Sequence, residues 1–435
     1  MDDISYDHGG KGVATLTPLR AVADSSASLG RRNRVSVARA MTERARLLTP
    51  VFILVWVAGL LQEQAWSLMI HFPGHLSDLG ASETMIGLLY SLSAVFGLLL
   101  RPLLGRVMDN LGRRPVLLAS GLGNAAALGI LTVTASLNWF LATVFVAHRV
   151  LQIALFTALL TLSADVLPKS RRTQGLAIYG LGGLIPLATG GAMGDILLDV
   201  GDFDLLFICA ALLSVASWSL VWRVPIYPAG AAGGPRRGFW AALRQIDLLP
   251  VWWLTMLFAV GLAALFTFIR TFVDERRVGS VGMFFLVYGG VAIAVRIFSS
   301  GRLDSTRQLP LIGGALGAYA AGFLVIADAA TAPALAIGAS LLGLGHGLLF
   351  PIMTAQVVSR ARESERGSAM AIFTSLFDLA VLTAAPAVGA IIDWRGYATA
   401  FNALGVFLVA GTVLYFVWER VAARRSPATV ISEGL

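Results

Sequence analysis

The sequence predicts an all-α integral membrane protein with twelve transmembrane helices in two six-helix halves. Three observations carry that reading. The 435 residues are 57% hydrophobic and only 13% charged, against about 25% charged in a soluble domain, so the chain has too little polar surface to face water on every side. Twelve apolar runs each approach the ~20 residues a helix needs to cross a ~30 Å hydrocarbon core. Lys and Arg gather in alternate connecting segments, as in a chain threaded repeatedly through a bilayer.

The runs lie near 50–72, 83–104, 115–136, 139–164, 175–196, 203–222, 249–272, 281–300, 309–328, 333–358, 368–392 and 397–418. Each is rich in Leu, Ala, Val and Gly. Backbone groups in lipid must bond internally, so each run is expected to be a helix. Twelve crossings bring both termini to one side. With the N-terminus in the cytoplasm, the inner segments hold Arg106, Arg113 and Arg114, then Lys169, Arg171 and Arg172. Further along they hold Arg236, Arg237 and Arg244, then Arg302 and Arg307, then Arg360, Arg362 and Arg366, and finally Arg424 and Arg425. The outer loops hold Arg276, Arg277 and Arg395 and little else. The expected location is therefore a cell membrane, multi-pass, with both termini cytoplasmic.

The chain divides into a basic cytosolic tail (1–48), a first six-helix half (49–224), a cytosolic linker (225–248), a second half (249–420) and a C-terminal tail (421–435). The tail shows no apolar core followed by a small-residue cleavage site, so no cleavable signal is expected. Residues 225–238 are rich in Pro and Gly and are basic, as befits a linker. The single cysteine, Cys209, can form no intrachain disulfide. The net charge of +8 is distributed as topology requires, so no nucleic acid partner is expected. The bilayer is the expected partner, and a monomer the expected state.

A repeat links the halves. After the second span the chain reads Arg101-Pro-Leu-Leu-Gly105-Arg106-Val-Met-Asp109-Asn-Leu-Gly112-Arg113-Arg114; after the eighth it reads Arg296-Ile-Phe-Ser-Ser-Gly301-Arg302-Leu-Asp304. In both, Arg and Asp stand eight apart with a glycine between. Duplicated halves joined by a linker are the plan of many transporters. Here the sequence resembles the major facilitator superfamily. Gly105, Asp109, Gly112, Arg113 and Arg114 match that family's loop 2–3 signature, with Asn110 in place of its usual basic residue. Arg149-Val-Leu-Gln152 resembles the Arg-x-x-Gln-Gly motif common in its proton-coupled exporters, with Ile153 in place of glycine. The stretch Gly180 to Gly191 resembles an exporter Gly-Pro-x-x-Gly-Gly motif out of register. The resemblance implies the twelve-span fold and a bacterial drug or sugar efflux permease. It also implies that Asp109, Arg113, Arg114 and Asp165 form a cytoplasmic gate that closes one conformer; the alternative, favoured for Arg106 and Arg114, is that the arginines only orient the chain.

Ionisable residues inside spans are costly, so each is a candidate for function. Glu63, about 20 Å into the first span, and Arg149, about 15 Å into the fourth from the opposite side, lie at similar depths, so an ion pair between them is expected. An arginine beside a carboxylate favours its charged form, and its departure favours protonation; Glu63 is thus the expected proton carrier and Arg149 its modulator, or the two form a structural pair. Asp378 in span 11 is either a second proton or cation site or the cap of a backbone break near Pro386. Arg101 and Arg296 either snorkel to the interface or pair with Asp109 and Asp304. Gln62, Trp66, Gln152, Tyr179 and His346 are candidates for the substrate cavity; for His346, a packing role is the alternative, and His148 is given none.

Absent motifs narrow the class. There is no Gly-x-x-x-x-Gly-Lys-(Ser/Thr), no His-Glu-x-x-His, no Cys/His set and no Gly-x-Ser-x-Gly, so no ATPase, metal centre, cofactor or catalytic residue is expected. The expectation is a secondary transporter, not an enzyme, that exports a small organic molecule by antiport against protons. Uptake by proton symport is the alternative; a membrane sensor or membrane-embedded enzyme is weaker. The residue types favour a neutral or cationic substrate over a polyanion.

Overall fold

The computed structural model describes residues 48–168, 172–224, 239–299, 308–362 and 365–425, without the side chains of 102, 105, 109, 172–174, 177 and 421–425. The first span is α1 (Pro50–Leu68) continued through a 3-10 turn (Met69–His71) into α2 (Phe72–Asp78). Spans two to six are α3 (Glu83–Leu111), α4 (Arg113–Leu131), α5 (Trp139–Val166), α6 (Arg172–Val200) and α7 (Phe203–Trp222). A short α8 (Phe239–Leu243) precedes α9 (Leu249–Arg276), α10 (Val281–Ser299), α11 (Gln308–Ala327) and α12 (Ala332–Arg360), which are spans seven to ten.

The last helix, α13 (Arg366–Arg425), runs 60 residues and contains Gly396 at φ 80°, a non-helical break. At 1.5 Å per residue a straight helix of that length measures about 90 Å, three times the hydrocarbon thickness. It therefore holds spans eleven and twelve, turned at Gly396. Among the described residues eleven continuous segments are long and apolar enough to cross a membrane; dividing the last gives the twelve spans expected.

Local chemistry explains where the helices begin. Four start behind a side-chain cap: Ser82 accepts from the Met85 amide, Asn138 from Phe140 and Leu141, Asp202 from Asp204 and Leu205, and Thr331 from Ala334. Each occupies amide donors that have no carbonyl in the first turn. All four lie at the face away from the chain's entry at Pro50 and exit at Arg425. That face is called the far face below, and the opposite one the near face. At the near face Gly112, at φ 85°, ends α3 and opens α4, a conformation that disfavours a Cβ.

The halves meet along two seams, α3 against α13 and α6 against α10. In the first, a Cβ on Gly87 would strike the Ala385 carbonyl, and one on Gly389 the backbone of Glu83. Small residues let these backbones approach as transmembrane packing demands. α4, α7 and α11 pack chiefly within their own halves and expose Leu122, Ile208, Leu212 and Val215. This agrees with the lack of mid-span charge in spans three, six and nine. Helical residues from Pro50 onward form one compact unit.

Candidate functional site: charged groups at the meeting of the halves

Three charged side chains from three helices stand close together at mid-bundle. Arg101 of α3 donates from Nε to Asp378 Oδ2 of α13 at 2.6 Å, an ion pair that joins the two halves, with side chains 22% and 14% exposed. A glycine at 97, one turn from Arg101, leaves space for the Asp378 carboxylate. Arg101 was expected to snorkel or to reach Asp109; its partner is instead on the other half. The Asp109 side chain is outside the described atoms, as are residues Gly301 and Asp304 of the second repeat. Gly105 lies in the helical part of α3.

Arg149 of α5 is placed differently from expectation. Its guanidinium carbon lies 4.4 Å from the Trp66 ring centre and 5.2 Å from that of Tyr90. Its Nε donates to Ser93 Oγ at 3.4 Å. Asp378 is within electrostatic reach but not paired with it. Trp66, Met69, Ile70, Tyr90, Phe145, Phe266 and Arg149 line a niche of about 20 Å³ on its far side. The expected Glu63–Arg149 ion pair is not formed among the described residues. The physical reason is that two aromatic faces already hold the guanidinium. Glu63 is half-buried in α1, with Tyr179 of α6 nearby, and it has no hydrogen-bond or ionic partner among the described residues.

Two of the cavity candidates are buried and bonded to each other. Gln62 and Gln152 are 1% and 5% exposed. Gln62 Nε2 donates to Gln152 Oε1 at 2.7 Å, and Gln62 Oε1 accepts from Ser214 Oγ at 3.0 Å. Asn124 donates to Ser214, and its Oδ1 lies 2.9 Å from His148 Nδ1. This chain of buried amides ties α1, α4, α5 and α7 together. It also gives His148 a partner, where the sequence suggested no role. In lipid such groups must find each other, since no water replaces them. Trp66 lies between Arg149 and His148, stacked on the latter at 6.0 Å. Tyr179 packs against Gly59, where a Cβ would come within 2.8 Å of its hydroxyl.

The second half is aromatic at the same level. His346 Nδ1 lies 2.6 Å from the Tyr288 hydroxyl and its ring packs against Phe258 and Phe350. The Arg296 guanidinium sits 5.7 Å from the Phe350 ring centre. It has no acidic partner among the described residues.

At the near face Arg113 Nε lies 3.1 Å from Asp165 Oδ2, joining α4 and α5, and Arg114 donates to the Trp222 carbonyl at 2.6 Å. Arg360 pairs with Glu419 at 2.7 Å. Each of these contacts lies within one half.

The far face holds residues that sequence reasoning passed over. Asp393 accepts from the Glu83 and Thr84 amides at 3.0 and 2.9 Å, so the second half caps a helix of the first. Glu83 in turn accepts from Tyr397 at 2.6 Å and Thr271 at 3.1 Å. Arg270 of α9 donates to His71 Nδ1 at 3.0 Å. Arginine has only donors, so Nδ1 accepts and Nε2 carries the proton toward the Gly191 carbonyl, 3.0 Å away. Asp195 of α6 accepts from the Gly282 amide of α10 at 2.6 Å. Their signal was visible: Asp195, Arg270 and Glu83 are ionisable residues at the ends of predicted spans. Uncertain span ends made them look like loop residues.

The profile of the Major Facilitator Superfamily matches residues 51–380 and 310–433. The chain is 26% identical over 365 residues to an uncharacterised MFS-type transporter of Pseudomonas aeruginosa, covering 81% of this chain and 89% of the relative. It is 25% identical over 371 residues to one of Burkholderia mallei, covering 81% and 88%. Among solved structures it superposes on the nucleoside transporter NupG with TM-score 0.71 at 14% identity, over 86% of this chain and 100% of that one. It superposes on the POT family transporter PepTSo with TM-score 0.73 at 11%, over 87% and 99%, and on the human organic anion transporter MFSD10 with TM-score 0.61 at 20%, over 85% and 100%. At these identities the superpositions speak for the fold alone. With the profile spanning most of the chain, the protein belongs to the major facilitator superfamily of membrane transporters.

Proposed function

We propose that the protein is a proton-coupled secondary transporter of a small organic molecule in a bacterial cell membrane, working by alternating access, with its near face cytoplasmic and Glu63 as proton carrier. The observation that carries this reading is the isolation of Glu63: a half-buried carboxyl group, deep in a span, with no partner among the described residues. A carboxylate there is costly, and a proton relieves the cost. An acid already held by an arginine has no such need, as Asp378 illustrates. Asp378 is accordingly the switching partner of Arg101 rather than a second proton site. The arginine-rich segments at the near face support the orientation.

The resemblance of Arg149-Val-Leu-Gln152 to an exporter motif favours export by antiport. One observation favours symport instead. Because Glu63 and Arg149 are not paired, a proton and a substrate can occupy the two groups together, and co-occupancy is what symport requires.

The test is reconstitution in liposomes with a pH dye inside, adding panels of antibiotics, sugars, organic cations and organic acids outside. Substrate-dependent proton flux that disappears in Glu63→Gln is the expected result. Luminal acidification as substrate enters reports symport; alkalinisation reports antiport. Undiminished proton flux in Glu63→Gln removes Glu63 from the mechanism.

A further inference from the structure

We infer that Arg149, held between Trp66 and Tyr90, is the docking point for the carboxylate of an aromatic organic monoanion. The inference rests on the transporter reading above and names the class of substrate. It departs from the neutral or cationic substrate that the residue types suggested, because the sequence did not reveal which charges remain unpaired.

Arg101 and Asp378 neutralise each other at 2.6 Å. Arg149 has no acid within ion-pair distance among the described residues, and Glu63 carrying a proton adds no charge. The charge of Arg149 is thus left uncompensated in a region where uncompensated charge is expensive; Arg296, against Phe350 in the second half, is the other arginine there without an acid among the described residues. A bound anion supplies the missing partner.

The geometry selects a carboxylate. Ser93 occupies Nε, leaving the two terminal nitrogens without partners among the described residues. Those nitrogens form the end-on fork that binds a carboxylate through two parallel bonds. Trp66 and Tyr90 clamp the guanidinium from its ring-facing sides, so the fork is fixed before a ligand arrives, which lowers the cost of binding.

The surroundings select an aromatic body. The niche beyond Arg149, walled by Phe145 and Phe266, measures about 20 Å³. That is room for a water or an oxygen of the head group but not for a ring, so the ring lies on the other side. On the second half, Phe350 and Phe377 are partly exposed and both stand against the buried Phe373, aromatic surface suited to a planar body.

The experiment measures saturable binding of radiolabelled benzoate and naphthoate to the full-length protein in nanodiscs, with benzamide and benzylamine as uncharged and cationic competitors. Because Arg149 lies on the Trp66 ring, tryptophan emission is read alongside, with Trp66→Phe identifying that component. The expected result is carboxylate binding that alters Trp66 emission and is not displaced by benzamide or benzylamine. Arg149→Gln should weaken it by about tenfold or more, and Arg149→Lys, which keeps charge but not the fork, by less. Benzamide competing as well as benzoate overturns the inference. So does Arg149→Gln binding like the wild type, or an absence of saturable carboxylate binding at millimolar concentration. If Arg149→Gln does not fold, discrimination by the wild type decides alone. Loss of Glu63-dependent proton flux with carboxylate binding intact would defeat only the coupling reading; carboxylate binding indifferent to Arg149, with that flux intact, would defeat only this one.

Discussion

The Arg101–Asp378 pair shows how one contact divides into stability and function. Both side chains are mostly buried, and they belong to opposite halves. Removing one partner from a buried pair leaves the other uncompensated, at a cost of about 3 kcal/mol, whereas replacing both with apolar residues is often close to neutral. Asp378→Asn should therefore lower the thermal unfolding temperature in detergent, and Arg101→Met with Asp378→Leu should recover most of that loss. If the pair also serves as a switch, the double variant will fold but will not transport. Recovery of transport together with stability would make the pair purely structural. The sequence marked both residues as unusual, but it could not match them. They stand 277 positions apart, and the second-half copy of the motif suggested nearer acids, Asp109 and Asp304. Gln62 and Gln152 could not be matched for a related reason. A polar residue in an apolar run must find a partner, yet the run does not say whether that partner is a substrate or a neighbouring helix, and here each found the other.

Elements were far more legible than contacts. Span lengths, caps and the glycine-rich seams follow from apolar run length, turn residues and local backbone geometry, all of which are encoded within about twenty residues. The far-face closure is not, because it depends on which helix ends meet across the halves. Its central contact is a helix cap supplied in trans, Asp393 accepting from the first amides of α3, where the helix dipole also favours an anion. Losing an N-cap costs about 1 kcal/mol. Here that cost falls only on the conformer in which the far face is closed, so a loss of this size shifts the balance between conformers about fivefold. Asp393→Ala should therefore populate longer distances between spin labels at Ser77 and Glu275, both exposed at the far face, in a Cys209→Ser background. An unchanged distance distribution would mean that Glu83, Tyr397 and the Arg270–His71–Asp195 cluster hold the face without Asp393.

For the whole molecule, the distribution of ties between the halves sets the direction from which the centre is reached. The far face is crossed by hydrogen bonds from both halves, from the α3 amides to Asp393, Arg270 to His71 and Gly282 to Asp195. The described near-face ion pairs, Arg113–Asp165, Arg360–Glu419 and Arg362–Glu365, each stay within one half. Transport by alternating access requires that these two faces exchange roles, so the resting accessibility of Glu63 reports which one is open. On the proposed orientation, Glu63→Cys in a Cys209→Ser background should react with a membrane-impermeant maleimide in inside-out vesicles and much more slowly in right-side-out vesicles. Adding Asp393→Ala should raise the rate from the outside, because weakening the far closure exposes the same carboxyl position to the other compartment. Labelling only from the outside would invert the orientation deduced from the arginines. Equal labelling from both sides in the single variant would mean that the far-face contacts do not close the path, and that the gate lies elsewhere in the bundle.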